Sequence, residues 1–143
     1  MLKNLIAIGL FVCTLAFVGC SSEKEDIEGD WPAIQVTVNG EHCKSLTYTV
    51  PADGGEFKIF SKNYGSVWLI SIQEDKERVW PEDYDWSDYL NINFARDWYS
   101  VRCDESKNIV VTIQPKSQDS PSRNVHLELE CGDAFSHIDL RQK

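Results

Sequence analysis

The chain contains 143 residues, with 14 Lys plus Arg against 23 Asp plus Glu, and its formal net charge is −9. This length suits one ordinary domain, and 42% hydrophobic residues with 11% aromatic residues suffice for a packed core. The acidic balance, without a run of Lys or Arg, argues against a nucleic-acid partner, because the phosphates would repel it.

The N-terminal segment predicts export. Residues 1–19 carry one charge, Lys3, followed by a short apolar run, as in a signal peptide. This run of about 14 residues is shorter than the roughly 20 that a membrane-spanning helix needs. Small Gly19 before Cys20 resembles the lipobox of bacterial lipoproteins, which implies that Cys20 is lipidated and becomes the mature N-terminus. An ordinary secretory cleavage that does not involve Cys20 is the alternative.

Residues 20–31 follow as a predicted flexible tether, because they are polar and charged and lack apolar periodicity. Within them, Lys24-Glu25-Asp26 resembles the signal that sends lipoproteins of the Bacteroidetes to the cell surface; a generic solvated linker is the alternative. We therefore expect an outer-membrane lipoprotein that contacts the membrane through its lipid anchor only. Whether it faces the periplasm or the exterior stays open.

The mature segment, residues 32–143, has the pattern of an all-β domain. Apolar and polar residues alternate along it, and Gly, Asn, Asp and Pro separate the alternating runs. Seven or eight short strands with this spacing predict a β-sandwich or barrel. The predicted strands cover residues 33–38, 42–50, 55–62, 66–74, 98–103, 108–115, 123–131 and 135–142. Period two predicts as inward-facing residues Phe57, Ile59, Trp68, Ile70, Ile72, Ile109, Val111, Ile113, Val125, Leu127, Leu129, Ile138 and Leu140.

Six sequence elements in this segment, taken in order, are similar to those of a known family. They are Ala52-Asp53-Gly54-Gly55 before a strand, Trp68, Trp98-Tyr99-Ser100-Val101, Ile109 to Ile113, Arg123 before a strand, and Leu140-Arg141-Gln142. From about Leu46 to Gln142 the chain resembles the BACON family, the Bacteroidetes-associated carbohydrate-binding often N-terminal domain. The resemblance implies an immunoglobulin-like β-sandwich in secreted or surface-attached proteins that often accompany polysaccharide-degrading systems.

Residues 75–97 depart from the family pattern, which has only a short connection there. Loops of this length are usually functional or disordered, and this one is rich in aromatic and acidic residues. Aromatic rings stack on the C–H faces of sugars, and carboxylates accept hydrogen bonds from sugar hydroxyls. We therefore predict a carbohydrate site formed by Trp80, Tyr84, Trp86, Tyr89, Asp83 and Asp85. The alternative is that some of these rings pack against the sandwich, as we expect of Trp68 and Trp98.

No metal site is predicted. The acidic run that begins at Asp83 starts like a calcium loop, but the EF-hand pattern needs Gly where Asp88 stands and Glu where Phe94 stands. His126 and His137 fall on adjacent predicted strands, on faces expected to be exposed, and lack a third ligand at metal spacing.

Three cysteines, Cys43, Cys103 and Cys131, remain in an oxidising compartment after Cys13 and Cys20 are removed or lipidated. They allow at most one disulfide. We favour Cys103 with Cys131, since both lie in late predicted strands, although an unpaired buried cysteine is an equally common outcome for any one of them.

The sequence lacks a nucleophile elbow, a phosphate loop and a zinc motif, so we predict no catalytic residue, no cofactor and no enzymatic activity. The favoured function is a non-catalytic surface lipoprotein that binds carbohydrate weakly through residues 75–97. The alternative is a structural spacer or a protein-interaction lipoprotein without glycan binding, whose protein partner is unknown.

Overall fold

The structure is a computed structural model, and it describes residues 31–81, 88 and 91–143. These residues contain eleven strands in two sheets. No helix among them is long and apolar enough to cross a membrane. The strands are β1 Val36–Val38, β2 Glu41–His42, β3 Thr47–Val50, β4 Gly55–Ser61, β5 Trp68–Glu74, β6 Glu77–Arg78, β7 Asn93–Ala95, β8 Tyr99–Cys103, β9 Ile109–Ile113, β10 Arg123–Cys131 and β11 Ala134–Gln142.

The strand order is that of an immunoglobulin-like sandwich. The six-stranded sheet has the order β2-β1-β4-β9-β8-β7, and the five-stranded sheet has the order β3-β11-β10-β5-β6. In the six-stranded sheet, the neighbouring strands β1, β4, β9 and β8 correspond to strands A, B, E and D of immunoglobulin domains. In the five-stranded sheet, β11, β10 and β5 correspond to strands G, F and C. Strand β3 runs parallel to β11. The predicted all-β sandwich is confirmed.

Residues 42–50, predicted as one strand, form parts of two strands that belong to different sheets. Strand β2 pairs with β1, whereas β3 pairs with β11. Between them the chain turns, with the Leu46 N–H donating to the Cys43 carbonyl at 3.1 Å. Leu46 has a φ of 55°, which a continuous strand does not allow. This turn moves the chain from one sheet to the other.

The insertion at residues 75–97 contributes two short strands that raise the strand count above the predicted seven or eight. Strand β6 pairs with β5 in one sheet, and β7 pairs with β8 in the other. Each is the outermost strand of its sheet. The insertion therefore connects the edges of the two sheets.

The core lies between the sheets, and period two predicted most of it. Ile59, Ile72, Val111, Leu127 and Leu140 are among the predicted residues that are fully buried. The prediction is wrong for Trp68 and Ile70, which are only half-buried, while Leu69 between them is 1% exposed.

A β-bulge in β5 explains this reversal. Glu128 of β10 pairs with Ser71, but the next residue, Leu129, pairs with Leu69, so Ile70 is an extra residue in β5. An extra residue reverses the alternation of side chains on one side of a bulge. Trp68 therefore lies on the outer face of the five-stranded sheet, opposite Glu130.

Candidate functional site

Residues that carry the BACON resemblance meet at one end of the sandwich. The guanidinium of Arg123 lies 4.3 Å from the centre of the Trp98 ring. Arg123 also donates from Nε to Oε1 of Gln142 at 2.8 Å and from Nη2 to the carbonyl oxygens of Gln114 at 2.8 Å and Pro115 at 3.2 Å. One cation thus joins the end of β9, the start of β10 and the end of β11.

Gln142 completes this end, although it is a polar residue with no exposed surface. Its Nε2 donates to the carbonyl oxygens of Pro51 at 2.9 Å, Ala52 at 3.1 Å and Gln114 at 3.2 Å. Gly54 follows with a φ of 70°, and a Cβ there would lie 2.1 Å from the Ile113 carbonyl oxygen. We call this network, formed by residues 51–54, Trp98, Gln114, Arg123 and Gln142, the closed end.

Glu74 extends the network towards the insertion. It accepts from Nε1 of Trp98 at 3.1 Å and from Nε of Arg96 at 3.0 Å. Trp98 is half-buried and packs against the core, as predicted. Burial, and then the charge of Glu74, raise the pKa of the Tyr99 phenol beside it. These contacts pair polar side chains of the closed end with partners within the chain.

The predicted site in the insertion lies mostly outside the described residues. That is the case for Tyr84, Trp86, Tyr89, Asp83 and Asp85. Trp80 is described; it is half-buried and packs against the core. Asp88 is exposed and accepts from Nδ2 of Asn91 at 2.6 Å. The carbohydrate-binding role of the six predicted residues stays a prediction.

A different feature lies on the outer face of the five-stranded sheet, where the bulge of β5 adjoins β10 and β11. It is an open groove of about 530 Å³. Phe135 is 59% exposed, one of two large hydrophobic side chains that are exposed within the described ranges. We call it the outer-face groove; its lining residues are Ile70, His126, Glu128, Leu129, Phe135, Ser136 and His137.

The polar side chains of the groove form an ordered cluster. Nδ1 of His126 lies 3.0 Å from Oδ1 of Asp139, and Nε2 of His126 lies 3.8 Å from Oε1 of Glu128. The rings of His126 and His137 stack with their centres 5.1 Å apart. Nδ2 of Asn124 donates to the same Asp139 oxygen at 2.9 Å. Burial opposes ionisation of Asp139, but these hydrogen bonds outweigh it and hold its pKa below the usual range.

His126 and His137 lie on adjacent strands, as the sequence predicts, but their arrangement with Asp139 and Phe135 was not predicted. The missing information is the register of β10 with β11, in which His126 lies opposite Asp139. A two-residue turn at Gly132-Asp133 fixes this register, and such a turn is visible in the sequence. The second signal in the sequence is Phe135, which is two residues before His137 and therefore shares the polar face of β11 with it.

Metal and disulfide chemistry are not evident in the part of the chain that the structure describes. No group of three His, Cys, Asp or Glu residues there is arranged to hold a metal ion. The expected Cys103–Cys131 disulfide is wrong, since Cys43, Cys103 and Cys131 are all free thiols. Strand β8, which ends at Cys103, lies next to the edge of one sheet, whereas β10 is the central strand of the other. Cys103 and Cys131 therefore belong to strands of different sheets.

Comparison with known proteins supports the fold. No protein-family model matches the sequence, and no curated protein is similar to it. An NMR structure of a protein from Bacteroides thetaiotaomicron is similar, with a TM-score of 0.62 and 25% sequence identity. The similarity covers 82% of this chain and 92% of that chain.

Proposed function

We propose that this chain is a non-catalytic, lipid-anchored surface protein whose BACON-like domain binds carbohydrate weakly. The observation that carries the binding proposal is the outer-face groove, which is lined by the exposed ring of Phe135 and by His126, Glu128 and His137. An exposed aromatic ring in a groove that also holds hydrogen-bonding groups suits a sugar, because a sugar has apolar C–H faces and a rim of hydroxyls.

The anchoring part of the proposal is supported by the lipobox-like residues before Cys20 and by the charged segment after it. The BACON-like assignment is supported by the closed end, where Arg123, Trp98 and Gln142 of the resemblance act together. A domain held at a membrane in many copies gains avidity, so weak individual binding is sufficient there.

The groove and the insertion are two places where the same ligand class could bind on one domain. The groove is the better-supported place, because its aromatic and polar groups are adjacent and accessible. We expect dissociation constants of about 10 μM to 1 mM for a site that covers one or two sugar units.

Affinity electrophoresis in gels that contain plant, host or microbial polysaccharides tests the proposal. Phe135→Ala should abolish the retardation seen with the wild-type protein and leave the melting temperature within about 2 °C, because the ring is largely exposed. Trp86→Ala is the matched variant for the insertion. If only Trp86→Ala removes retardation, the insertion is the site, and if no polysaccharide retards the wild-type protein, the spacer or protein-interaction function takes its place.

A further inference from the structure

We propose that the outer-face groove selects uncharged sugars that carry two free hydroxyls on neighbouring ring carbons. These hydroxyls donate hydrogen bonds to Nε2 of His126 and to the carboxylate of Glu128. The inference rests on the proposed carbohydrate binding and adds to it the class of sugar and the atoms that recognise it.

The protonation of His126 follows from its contact with Asp139. The Asp139 carboxylate already accepts from Nδ2 of Asn124, and an ionised carboxylate has no proton to donate. Hydrogen bonding from Asn124 and His126 keeps its pKa low despite burial, so it is ionised at neutral pH. The 3.0 Å contact therefore places the imidazole proton on Nδ1 of His126. In the neutral ring, Nε2 is then an acceptor.

Two acceptors consequently lie side by side. Nε2 of His126 is 3.8 Å from Oε1 of Glu128, and neither atom can donate to the other while the imidazole is neutral. Gln73 donates to the same Glu128 oxygen at 3.4 Å and helps to hold it in place. A pair of adjacent acceptors is satisfied by a pair of adjacent donors, and a vicinal diol supplies them. Phe135, at the other side of the groove, offers the apolar contact for the ring.

The charge around the groove disfavours acidic sugars. Glu128 lines it, Asp139 lies behind His126, and Glu130 lies opposite Phe135 in the β10–β11 register. Arg141 is two residues beyond Asp139 on the same strand and is not among the lining residues. A uronate or sialate carboxylate would face these acidic groups and would find acceptors where it needs donors.

The test uses the neutral polysaccharide that gives the strongest retardation of the wild-type protein. The same polysaccharide is treated with periodate and then borohydride, which cleaves vicinal diols, and polygalacturonate serves as the acidic probe. We expect at least tenfold weaker binding to the treated polymer, no binding to polygalacturonate, and at least tenfold weaker binding by Glu128→Gln. Glu41→Gln, an exposed change in the other sheet, is the control and should bind normally.

The outcomes separate this inference from the proposed function. Unchanged binding to the treated polymer, binding to polygalacturonate equal to that of the neutral polymer, or equal behaviour of Glu128→Gln and Glu41→Gln would each overturn the diol proposal while carbohydrate binding stands. Absence of binding to every polysaccharide overturns both. Melting curves of both variants establish that each is folded, and the periodate comparison needs no variant at all.

Discussion

The closed end and the outer-face groove use similar side chains in opposite ways. At the closed end, Arg123 and Gln142 direct their hydrogen bonds to acceptors within the chain, and Gln142 is fully buried. In the groove, Phe135 is exposed, and His126 and Glu128 line open space. The difference teaches that residues which carry a family resemblance can serve the fold, while the ligand site that we propose lies among residues that the resemblance does not include.

The largest predicted effect is at the closed end, where Gly54→Ala should destabilise the domain by about 3 kcal/mol or more. The new Cβ would lie 2.1 Å from the Ile113 carbonyl oxygen, so the backbone of β9 or the turn has to move. Gly40→Ala is the control, because Gly40 also has a positive φ but nothing lies within 4 Å of its Cβ position. We expect it to cost about 1 kcal/mol in urea unfolding. Equal costs for the two variants would contradict tight packing at the closed end.

The next effect compares the two faces of β5. Leu69→Ala should cost about 2–5 kcal/mol, because Leu69 is fully buried between the sheets. Trp68→Ala should cost about 1 kcal/mol, because the bulge turns Trp68 to the outer face, where it is half-buried. Thermal unfolding of the two variants measures the difference. A larger loss of stability for Trp68→Ala than for Leu69→Ala would contradict the bulge beside the groove. It would favour the regular alternation that the sequence predicts.

The smallest effect is in the groove, where Asp139→Asn should cost about 0.5–1 kcal/mol at pH 7, after allowance for its partial exposure. The pKa of Asp139 is lower in the folded chain than its ordinary value, so its contribution is present above pH 4. That contribution is lost as the pH falls below about 3.9, the ordinary carboxyl pKa. Urea unfolding should therefore show the stabilities of wild type and variant converging as the pH falls below this value.

The exposed Asp53→Asn variant is the control for the loss of one carboxylate and should keep the wild-type stability at pH 7. A constant difference between wild type and Asp139→Asn from pH 7 to pH 2 would contradict an ionised Asp139 in the folded state. It would also remove the basis for the Nδ1 proton on His126.

The sandwich was predictable because alternation of apolar residues is a local property that survives in each strand, as in β9 and β10. The division of residues 42–50 was not, because it depends on a single positive φ at Leu46. The outward position of Trp68 was not either, since one extra residue opposite β10 decides it. Local patterns carry no information about such pairing across strands.

The groove was partly within reach of the sequence. The Gly132-Asp133 turn sets His126 opposite Asp139, and the alternation in β11 puts Phe135 and His137 on the polar face. The bulge of β5, which places Ile70 in the lining of the groove, could not be predicted from the sequence. A site formed on three strands needs the registers of all three.

The parallel pairing of β3 with β11 has a mechanical consequence. Thr47 to Val50 align with Asp139 to Gln142 in the same direction. A pull on the chain before β3 and after β11 therefore acts along the strands and in opposite directions, so that the hydrogen bonds of this pair are strained together in shear. An antiparallel pair pulled at its open end would lose its hydrogen bonds one after another. A domain held at its N-terminal side and pulled at its C-terminal strand thus meets the force with the whole pair at once.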